Sequence, residues 1–300
     1  LRWCQYTWAG VDAVVRGSSR RDYTATRVAG VFGPQMAEYV LGHVLCLERG
    51  IGEAAAQQRA RHWDPQPWKL AGSRRPLGEL TLGVLGMGSI GAHIARVAAA
   101  VGMRVVGLKR SAAGPGPAGS AARGGGGGGS EGESHARGTV ETTASLEEVV
   151  RRSDYIVNTL PSTSATRGLL DSGILARARA TDTGSGVAGA TTATSKAPVS
   201  EESLVPPRRS PVLINVGRGD IISEGTLLDA LEQEYLSHAV LDVFAAEPLP
   251  PSSALWAHDN VTITPHVAAV SYAHDVAAVF VRNLERWAAG APPAACVDWR

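Results

Sequence analysis

Three glycines in the first third of the chain have a spacing suited to binding phosphate groups. Gly86, Gly88 and Gly91 form a GxGxxG between an apolar run, Leu80–Leu85, and a helical pattern, Ile90–Val101. In this context the first glycine permits a tight turn, the second lets backbone approach a pyrophosphate, and the third lets helix and strand pack closely. The helix N-terminus adds free N–H groups and partial positive charge. The motif predicts a dinucleotide site; the alternative is a glycine turn that serves packing alone.

The end of the next apolar run indicates which dinucleotide is bound. Lys109, Arg110 and Ser111 stand about 20 residues after the glycine loop, where an NAD site places an acidic residue for the ribose 2′-hydroxyl. Lys and Arg would instead attract a 2′-phosphate, and Ser could donate a hydrogen bond to it. We therefore predict NADP(H) in preference to NAD(H). The alternative is that Lys109 and Arg110 are solvated loop charges.

Three further polar side chains each follow a segment with a strand pattern. Arg218, Glu247 and His266 stand just past these apolar segments. Ligands bind at the carboxyl ends of strands in open parallel sheets, so we expect all three at one ligand site. The alternatives are an exposed loop charge for Arg218, a solvated turn residue for Glu247 and a backbone-bonded strand-end histidine for His266.

The elements that must position these residues alternate along the chain. Apolar strands alternating with helices predict an α/β protein with a doubly wound, Rossmann-type parallel sheet covered on both faces. The opening, Leu1–Asp12, indicates a strand that runs into a glycine turn, as if a preceding piece were missing. The predicted strands are Leu80–Leu85, Arg104–Leu108, Tyr155–Leu160, Val212–Val216, His238–Val243 and Val261–Thr264, and the predicted helices are Gln35–Arg49, Ile90–Val101, Leu146–Arg152, Glu224–Glu234 and Ser271–Ala289.

Composition excludes several classes of protein. The 300 residues carry a net charge of +1, which argues against a strongly basic nucleic-acid binder, and 44% hydrophobic residues are enough for a core. No apolar run approaches ~18 residues, so we expect no membrane span. The three cysteines show no metal or disulfide spacing, which favours a reducing compartment, and no metal site is predicted.

Together these motifs resemble the D-isomer-specific 2-hydroxyacid dehydrogenases. The resemblance rests on the glycine loop and on the segments Leu213–Asp220, Leu241–Pro250 and Val261–Ala269 in that order. Four shorter segments look most like the glyoxylate/hydroxypyruvate reductase branch: Thr7–Asp12, Met36–Val40, Lys109–Ser111 and Ile263–Ala269.

The resemblance implies a catalytic set of Arg218, Glu247 and His266. Arg218 would pair with the substrate carboxylate and polarise the carbonyl. His266 would donate a proton as the general acid, and Glu247 would orient the imidazole and favour its protonated form. The other histidines have no comparable partner set and are taken as structural or surface residues.

The resemblance also implies the residues that bind the cofactor and the substrate. Asp242 matches a position that contacts the nicotinamide amide, and Trp8 either walls the substrate pocket or belongs to the core. The expected cofactor residues are Gly86, Gly88, Ser89, Ile90, Gly91, Lys109, Arg110, Ser111, Leu160, Pro161, Val216, Gly217 and Asp242; the expected substrate residues are Trp8, Ala9, Gly10 and Val11 with Arg218 and His266.

Two lobes are expected from the resemblance. Residues 1–35 and 267–300 would form a partial, discontinuous, flavodoxin-like substrate domain with an exposed edge, and residues 36–266 the NAD(P)-binding domain. Two stretches, 112–138 and 176–210, lack a hydrophobic period and are predicted to be surface loops or unfolded insertions.

The functional expectation is an NADPH-dependent reductase of a small 2-keto acid, glyoxylate or hydroxypyruvate, that forms the D-2-hydroxy acid. The alternatives are a catalytically silent, corepressor-like dinucleotide-binding protein and a truncated product without function. A homodimer is implied by the family alone, with no nucleic-acid or membrane partner. We expect the cytoplasm, or an organelle if a missing N-terminal piece carried an address.

Overall fold

The computed structural model describes residues 1–63, 75–109, 138–179 and 210–299. Its strands are β1 (Trp3–Gln5), β2 (Thr24–Thr26), β3 (Thr81–Leu85), β4 (Arg104–Leu108), β5 (Val140–Thr143), β6 (Tyr155–Asn158), β7 (Val212–Asn215), β8 (His238–Leu241) and β9 (Val261–Ile263). Its helices are α1 (Asp12–Gly17), α2 (Gly33–Arg49), α3 (Ile51–Arg59), α4 (Ser89–Ala100), α5 (Leu146–Arg152), α6 (Ser172–Arg179), α7 (Glu224–Glu232) and α8 (Ala273–Ala288).

A parallel sheet forms the centre of the described chain. Its order is β5-β4-β3-β6-β7-β8-β9, and every neighbouring pair is parallel. The chain moves outward from β3 to β5 on one side, then returns to β6 and moves outward on the other. This is the Rossmann order with one more parallel strand at the β9 edge, and it creates a switch point between β3 and β6. The predicted doubly wound α/β class is confirmed.

Alternate residues of the strands enter two different cores. Leu82 and Val84 of β3 pack in one cluster with α2 and α4, while Ile156 and Leu213 enter a second cluster on the opposite face with α5, α6 and α7. This follows from the two-residue period of a strand. Full burial of each such side chain contributes roughly 1.5–3 kcal/mol before conformational entropy is counted.

A smaller unit joins the two ends of the chain. β1 and β2 pair in parallel through α1, and the Trp3 ring stacks on Phe280 and Trp287 of α8, with ring centroids 5.6 and 5.9 Å away. The buried Asn283 amide donates to Gln5 Oε1 at 2.7 Å. The predicted boundary at residues 35/36 falls inside α2, and the division into two lobes stays a proposal.

Several element boundaries differ from the predictions. The predicted strands ran past their true ends because Leu160, Val216 and Val243 continue the apolar pattern, while β6, β7 and β8 stop at Asn158, Asn215 and Leu241. The short elements β2, β5, α1, α3 and α6 were not predicted.

The predicted insertions need one correction. α6 extends to Arg179, so the first residues of the stretch 176–210 are helical, because Leu175 and Ala178 pack in the second core. Residues 112–137 and 180–209 lie outside the described part of the chain.

The described residues contain no candidate membrane span, metal cluster or disulfide. No helix there is long and apolar enough to cross a membrane. Within the same residues, no group of three or more His, Cys, Asp or Glu side chains could hold a metal. Cys4, Cys46 and Cys296 are free thiols.

Candidate active site

The glycine loop lies at the switch point of the sheet. Gly86 directly follows β3 with φ +100°, a conformation that favours glycine, and α4 begins at Ser89. A Cβ on Gly91 would lie 1.9 Å from the Gly86 carbonyl oxygen, whereas a Cβ on Gly88 would meet open space. The predicted tight turn and close packing are therefore present. The backbone at Gly88 is open to a ligand beside the α4 N-terminus.

Replacing Gly91 tests this geometry. We expect Gly91→Ala to lower stability by about 1–3 kcal/mol through overpacking against the Gly86 carbonyl, and to weaken dinucleotide binding because the loop must shift. Gly42→Ala is the matched control, since Gly42 also lies in a helix and its Cβ would meet no atom within 4 Å. Denaturant unfolding should show a gain of about 0.5–1 kcal/mol for Gly42→Ala. Equal effects from both variants would contradict the assigned role.

The neighbouring strand ends approach the same loop. Thr159 Oγ1 donates to the carbonyl oxygens of Leu85 and Gly86 at 3.0 and 2.8 Å. A Cβ on Gly217 would lie 2.9 Å from the Leu160 carbonyl oxygen. The predicted cofactor residues Leu160, Pro161, Val216 and Gly217 thus lie in two turns, at the ends of β6 and β7, that touch each other.

Two buried asparagines, which sequence reasoning missed, hold these turns. Asn158 Nδ2 donates to Asn215 Oδ1 at 2.8 Å, while Asn158 Oδ1 accepts the Leu160 N–H at 3.0 Å. Asn215 Nδ2 donates to the Arg218 carbonyl oxygen at 3.0 Å. Because an unsatisfied buried amide is costly, this pairing fixes the two turns relative to each other. The available signal was an asparagine at the end of two apolar strand patterns.

Of the three residues predicted to choose the nucleotide, the described chain includes one. Lys109 follows β4 with an exposed side chain, and its N–H donates to the Thr143 carbonyl oxygen at 2.9 Å. This places Lys109 one strand away from the glycine loop. Arg110 and Ser111 lie outside the described residues.

Glu247 and His266 form a pair. His266 Nδ1 lies 2.8 Å from Glu247 Oε2, and Glu247 Oε1 accepts the Phe244 N–H at 2.8 Å. His266 has φ +56°, and its N–H donates to the Asp242 carbonyl oxygen at 2.9 Å. The imidazole is 56% exposed. Since Nδ1 faces the carboxylate, Nε2 is the ring nitrogen left for a substrate.

Asp242 anchors the loop that carries His266. The carboxylate belongs to a residue that is only 1% exposed, and it accepts the Thr264 hydroxyl at 2.5 Å and the N–H groups of Val267 and Ala268 at 2.8 and 2.9 Å. Both carboxylate oxygens therefore bind this loop. The nicotinamide contact implied for Asp242 stays a prediction.

Tyr39 of α2 extends the same network. Its hydroxyl lies 2.7 Å from Thr264 Oγ1, and burial raises its pKa to about 12. Sequence reasoning missed this contact because it joins residues that are far apart in the chain.

Arg218 meets the smaller unit of the fold. Its Nε donates to Asp12 Oδ2 at 2.9 Å, and its Nη1 donates to the Gly217 carbonyl oxygen at 2.7 Å. A Cβ on Gly10 would lie 2.1 Å from Arg218 Nη2, so the guanidinium rests against this glycine. The contact with Asp12 was not predicted.

The remaining expected substrate residues lie around Gly10. Trp8 is 67% exposed, which excludes the core alternative. The Ala9 carbonyl oxygen accepts Arg27 Nη1 at 3.3 Å, and Val11 precedes α1.

A backbone contact links the turn that carries Arg218 to the turn that binds Glu247. A Cβ on Gly219 would lie 1.9 Å from the Phe244 carbonyl carbon, so the Arg218 turn presses on the residue that binds Glu247. A separate cavity of about 150 Å³ lies behind this contact and is lined mainly by apolar side chains, including Leu227, Leu241 and Leu255. None of Arg218, Glu247 and His266 lines it.

The sequence of this chain is similar to a known protein family and to two named reductases. The family model "D-isomer specific 2-hydroxyacid dehydrogenase, NAD binding domain" matches residues 41–122 and 187–268. Glyoxylate/hydroxypyruvate reductase A of Serratia proteamaculans is 30% identical over 299 residues, covering 97% of this chain and 78% of that protein. Glyoxylate reductase of Aeropyrum pernix is 28% identical, covering 87% of this chain and 65% of that protein. The chain thus spans about two thirds to four fifths of these relatives.

Solved structures agree with these matches. A D-isomer-specific 2-hydroxyacid dehydrogenase family protein from Aeromonas salmonicida is 35% identical with a TM-score of 0.72, covering 100% of this chain and 79% of that one. The NADPH-dependent glyoxylate/hydroxypyruvate reductase of Sinorhizobium meliloti, solved with NADP and sulfate, is 29% identical with a TM-score of 0.72 and the same coverage.

Proposed function

The chain belongs to the D-isomer-specific 2-hydroxyacid dehydrogenases, and from that premise we propose that it reduces a small 2-keto acid with NADPH. Glyoxylate and hydroxypyruvate are the proposed substrates, and the D-2-hydroxy acid is the product. The observation that carries the proposal is the His266–Glu247 pair, which touches the Arg218 turn through Phe244. The relatives named glyoxylate/hydroxypyruvate reductase support this choice of substrate.

The described residues are suited to hold the dinucleotide. Gly86 and Gly91 shape the turn at the α4 N-terminus, and Gly88 leaves space beside it. The turns at Leu160 and Gly217 lie against the same switch point. When bound, NADPH supplies the hydride that adds to the carbonyl carbon of the substrate.

The catalytic residues then have separate tasks. Arg218 pairs with the substrate carboxylate and polarises the carbonyl through its remaining N–H groups. His266 Nε2 donates a proton to the oxygen as negative charge develops there. Glu247 holds Nδ1, which fixes the direction of the ring. One hydride and one proton together reduce the carbonyl to a hydroxyl.

The preference for NADPH rests on Lys109 and on the relatives. The Lys109 side chain is exposed at the carboxyl end of β4, where a 2′-phosphate would attract it. Solved relatives from Xanthobacter autotrophicus, Sinorhizobium meliloti and Rhizobium etli were crystallised with NADPH or NADP.

Reversing this charge should change the nucleotide preference. We expect Lys109→Glu to weaken NADPH binding about 10- to 100-fold, the value of one charge-assisted contact, and to leave NADH binding within a few-fold. Fluorescence titration with both nucleotides measures the two affinities. Arg282→Glu, an exposed charge reversal on α8, controls for the net-charge change. A parallel loss of NADH and NADPH binding would assign Lys109 a structural role instead.

The whole proposal is tested by titrating the chain with NADPH and NADH and then adding glyoxylate or hydroxypyruvate. Tighter NADPH binding followed by oxidation on addition of the keto acid is the expected result. Nucleotide binding without oxidation by either acid would count against the reductase and favour a sensor or interaction protein. Failure to bind either nucleotide would refute the proposal.

A further inference from the structure

The guanidinium of Arg218 is held by two hydrogen bonds. Asp12 accepts its Nε–H at 2.9 Å, and the Gly217 carbonyl oxygen accepts one Nη1–H at 2.7 Å. A guanidinium has five N–H donors in a fixed planar fork, so these two bonds determine the plane in which the others point. Among the described residues the remaining Nη N–H groups have no hydrogen-bond partner and are left for a ligand, and Gly10 lies against Nη2.

Asp12 reaches Arg218 from a different part of the fold. It begins α1, between β1 and β2, whereas Arg218 follows β7 of the large sheet. Gly10 is two residues before Asp12, and any side chain at Gly10 would displace the guanidinium. One short segment of the smaller unit therefore both bonds to Nε and makes room for Nη2.

The pair differs from the exposed ion pairs of the surface. The Arg218 and Asp12 side chains are 31% and 24% exposed, compared with 60% and 67% for Arg20 and Asp22. An exposed pair is screened by water and contributes little, while a half-buried pair with a defined bond direction can fix an orientation.

We propose that Asp12 is a positioning residue, which holds Arg218 by Nε so that its Nη edge faces the carboxylate and carbonyl of the substrate. This inference rests on the proposed function and adds a residue to it. The opposite arrangement is competition, in which Asp12 occupies Arg218 and must be displaced by the substrate anion. The two arrangements predict opposite changes in substrate affinity when Asp12 is replaced. Removing a competitor strengthens substrate binding, whereas removing a positioning residue weakens it.

A double-mutant cycle between Asp12 and Arg218 distinguishes these arrangements. The variants are Asp12→Asn, Asp12→Ala, Arg218→Lys and the combinations, with Asp22→Asn as the matched control. We expect Asp12→Ala to lower kcat/KM for the keto acid about 100-fold, the cost of a small misplacement. Asp12→Asn should keep part of the activity, because its amide oxygen still accepts a hydrogen bond. NADPH affinity and Tm should change little.

The Arg218→Lys background supplies the decisive comparison. A lysine has no Nε–H to be held, so the Asp12 substitutions should have less than a twofold further effect there. The same loss in both backgrounds would contradict the proposal, as would a fall in Tm with unchanged kcat and KM. Tighter keto-acid binding by Asp12→Asn would show competition and refute positioning.

Oxalate binding to the NADPH complex, measured by calorimetry, separates failure of this inference from failure of the proposed function. If the wild type binds oxalate but reduces no keto acid, the reductase proposal fails. The double-mutant cycle is then measured as oxalate affinity. The positioning role of Asp12 is supported if its substitutions weaken oxalate binding only when Arg218 is present. If the wild type is active and Asp12→Ala leaves kcat/KM unchanged, only the inference fails. A wild type with neither turnover nor oxalate binding would refute both.

Discussion

His266→Asn should lower turnover about 10²–10⁴-fold while leaving NADPH binding unchanged. Asparagine is the informative replacement because His266 has φ +56°, a conformation that Asn adopts more readily than most residues. The loop should therefore keep its shape and lose only the proton donor. General acids contribute about 10²–10⁴-fold to rate, so kcat should fall by that factor. Stopped-flow oxidation of NADPH and fluorescence titration measure the two quantities.

The control for this result is His274→Gln. His274 also faces a neighbouring carboxylate, with Nε2 3.6 Å from Asp275 Oδ1, but its side chain is 79% exposed at the start of α8. We expect full activity from this variant. Turnover by His266→Asn close to the wild-type rate would show that another group donates the proton.

Arg218→Lys should lower turnover nearly as much as His266→Asn does, although the positive charge is retained. Lysine has no planar fork, so it loses the bond from Nε to Asp12 as well as paired contact with a carboxylate. Loss of a preorganised electrostatic group typically costs about 10²–10³-fold in kcat, and weaker carboxylate binding should raise KM in addition. Steady-state kinetics with glyoxylate at saturating NADPH separates the two effects.

The matched control is Arg282→Lys on the exposed surface of α8. It should leave both constants unchanged. If Arg218→Lys raised KM at constant kcat, Arg218 would serve substrate binding alone, and another group would have to polarise the carbonyl.

The parts of the site that depend on local sequence could be predicted. Gly86 and Gly91 are required by a turn and a close approach within six residues, so their spacing indicated the geometry. Glu247 and His266, which the structure pairs, could be placed at one site because parallel strands direct their carboxyl ends to one edge of a sheet. That Arg218 acts with them stays a prediction.

The parts of the site that depend on contacts between distant residues could not be predicted from the sequence. Asp12 meets Arg218 across 206 residues, Tyr39 meets Thr264 across 225, and Asn158 meets Asn215 across 57. Each of these contacts joins two polar residues that could have many roles. The contact forms only because the fold brings the two residues together. The strand ends were predicted too late for a related reason. Apolar residues such as Val216 continue the strand pattern, but they lie in turns that buried asparagine side chains hold.

The asparagine pair has a consequence for how the two ligands influence each other. Asn158 binds the turn after β6, Asn215 binds the turn after β7 that leads to Arg218, and the two amides bind each other. A ligand that stiffens one turn therefore lowers the entropic cost of ordering the other. By thermodynamic reciprocity, each ligand should raise the affinity for the second by the same factor. We therefore expect the nucleotide and the keto acid to bind cooperatively through the two linked turns.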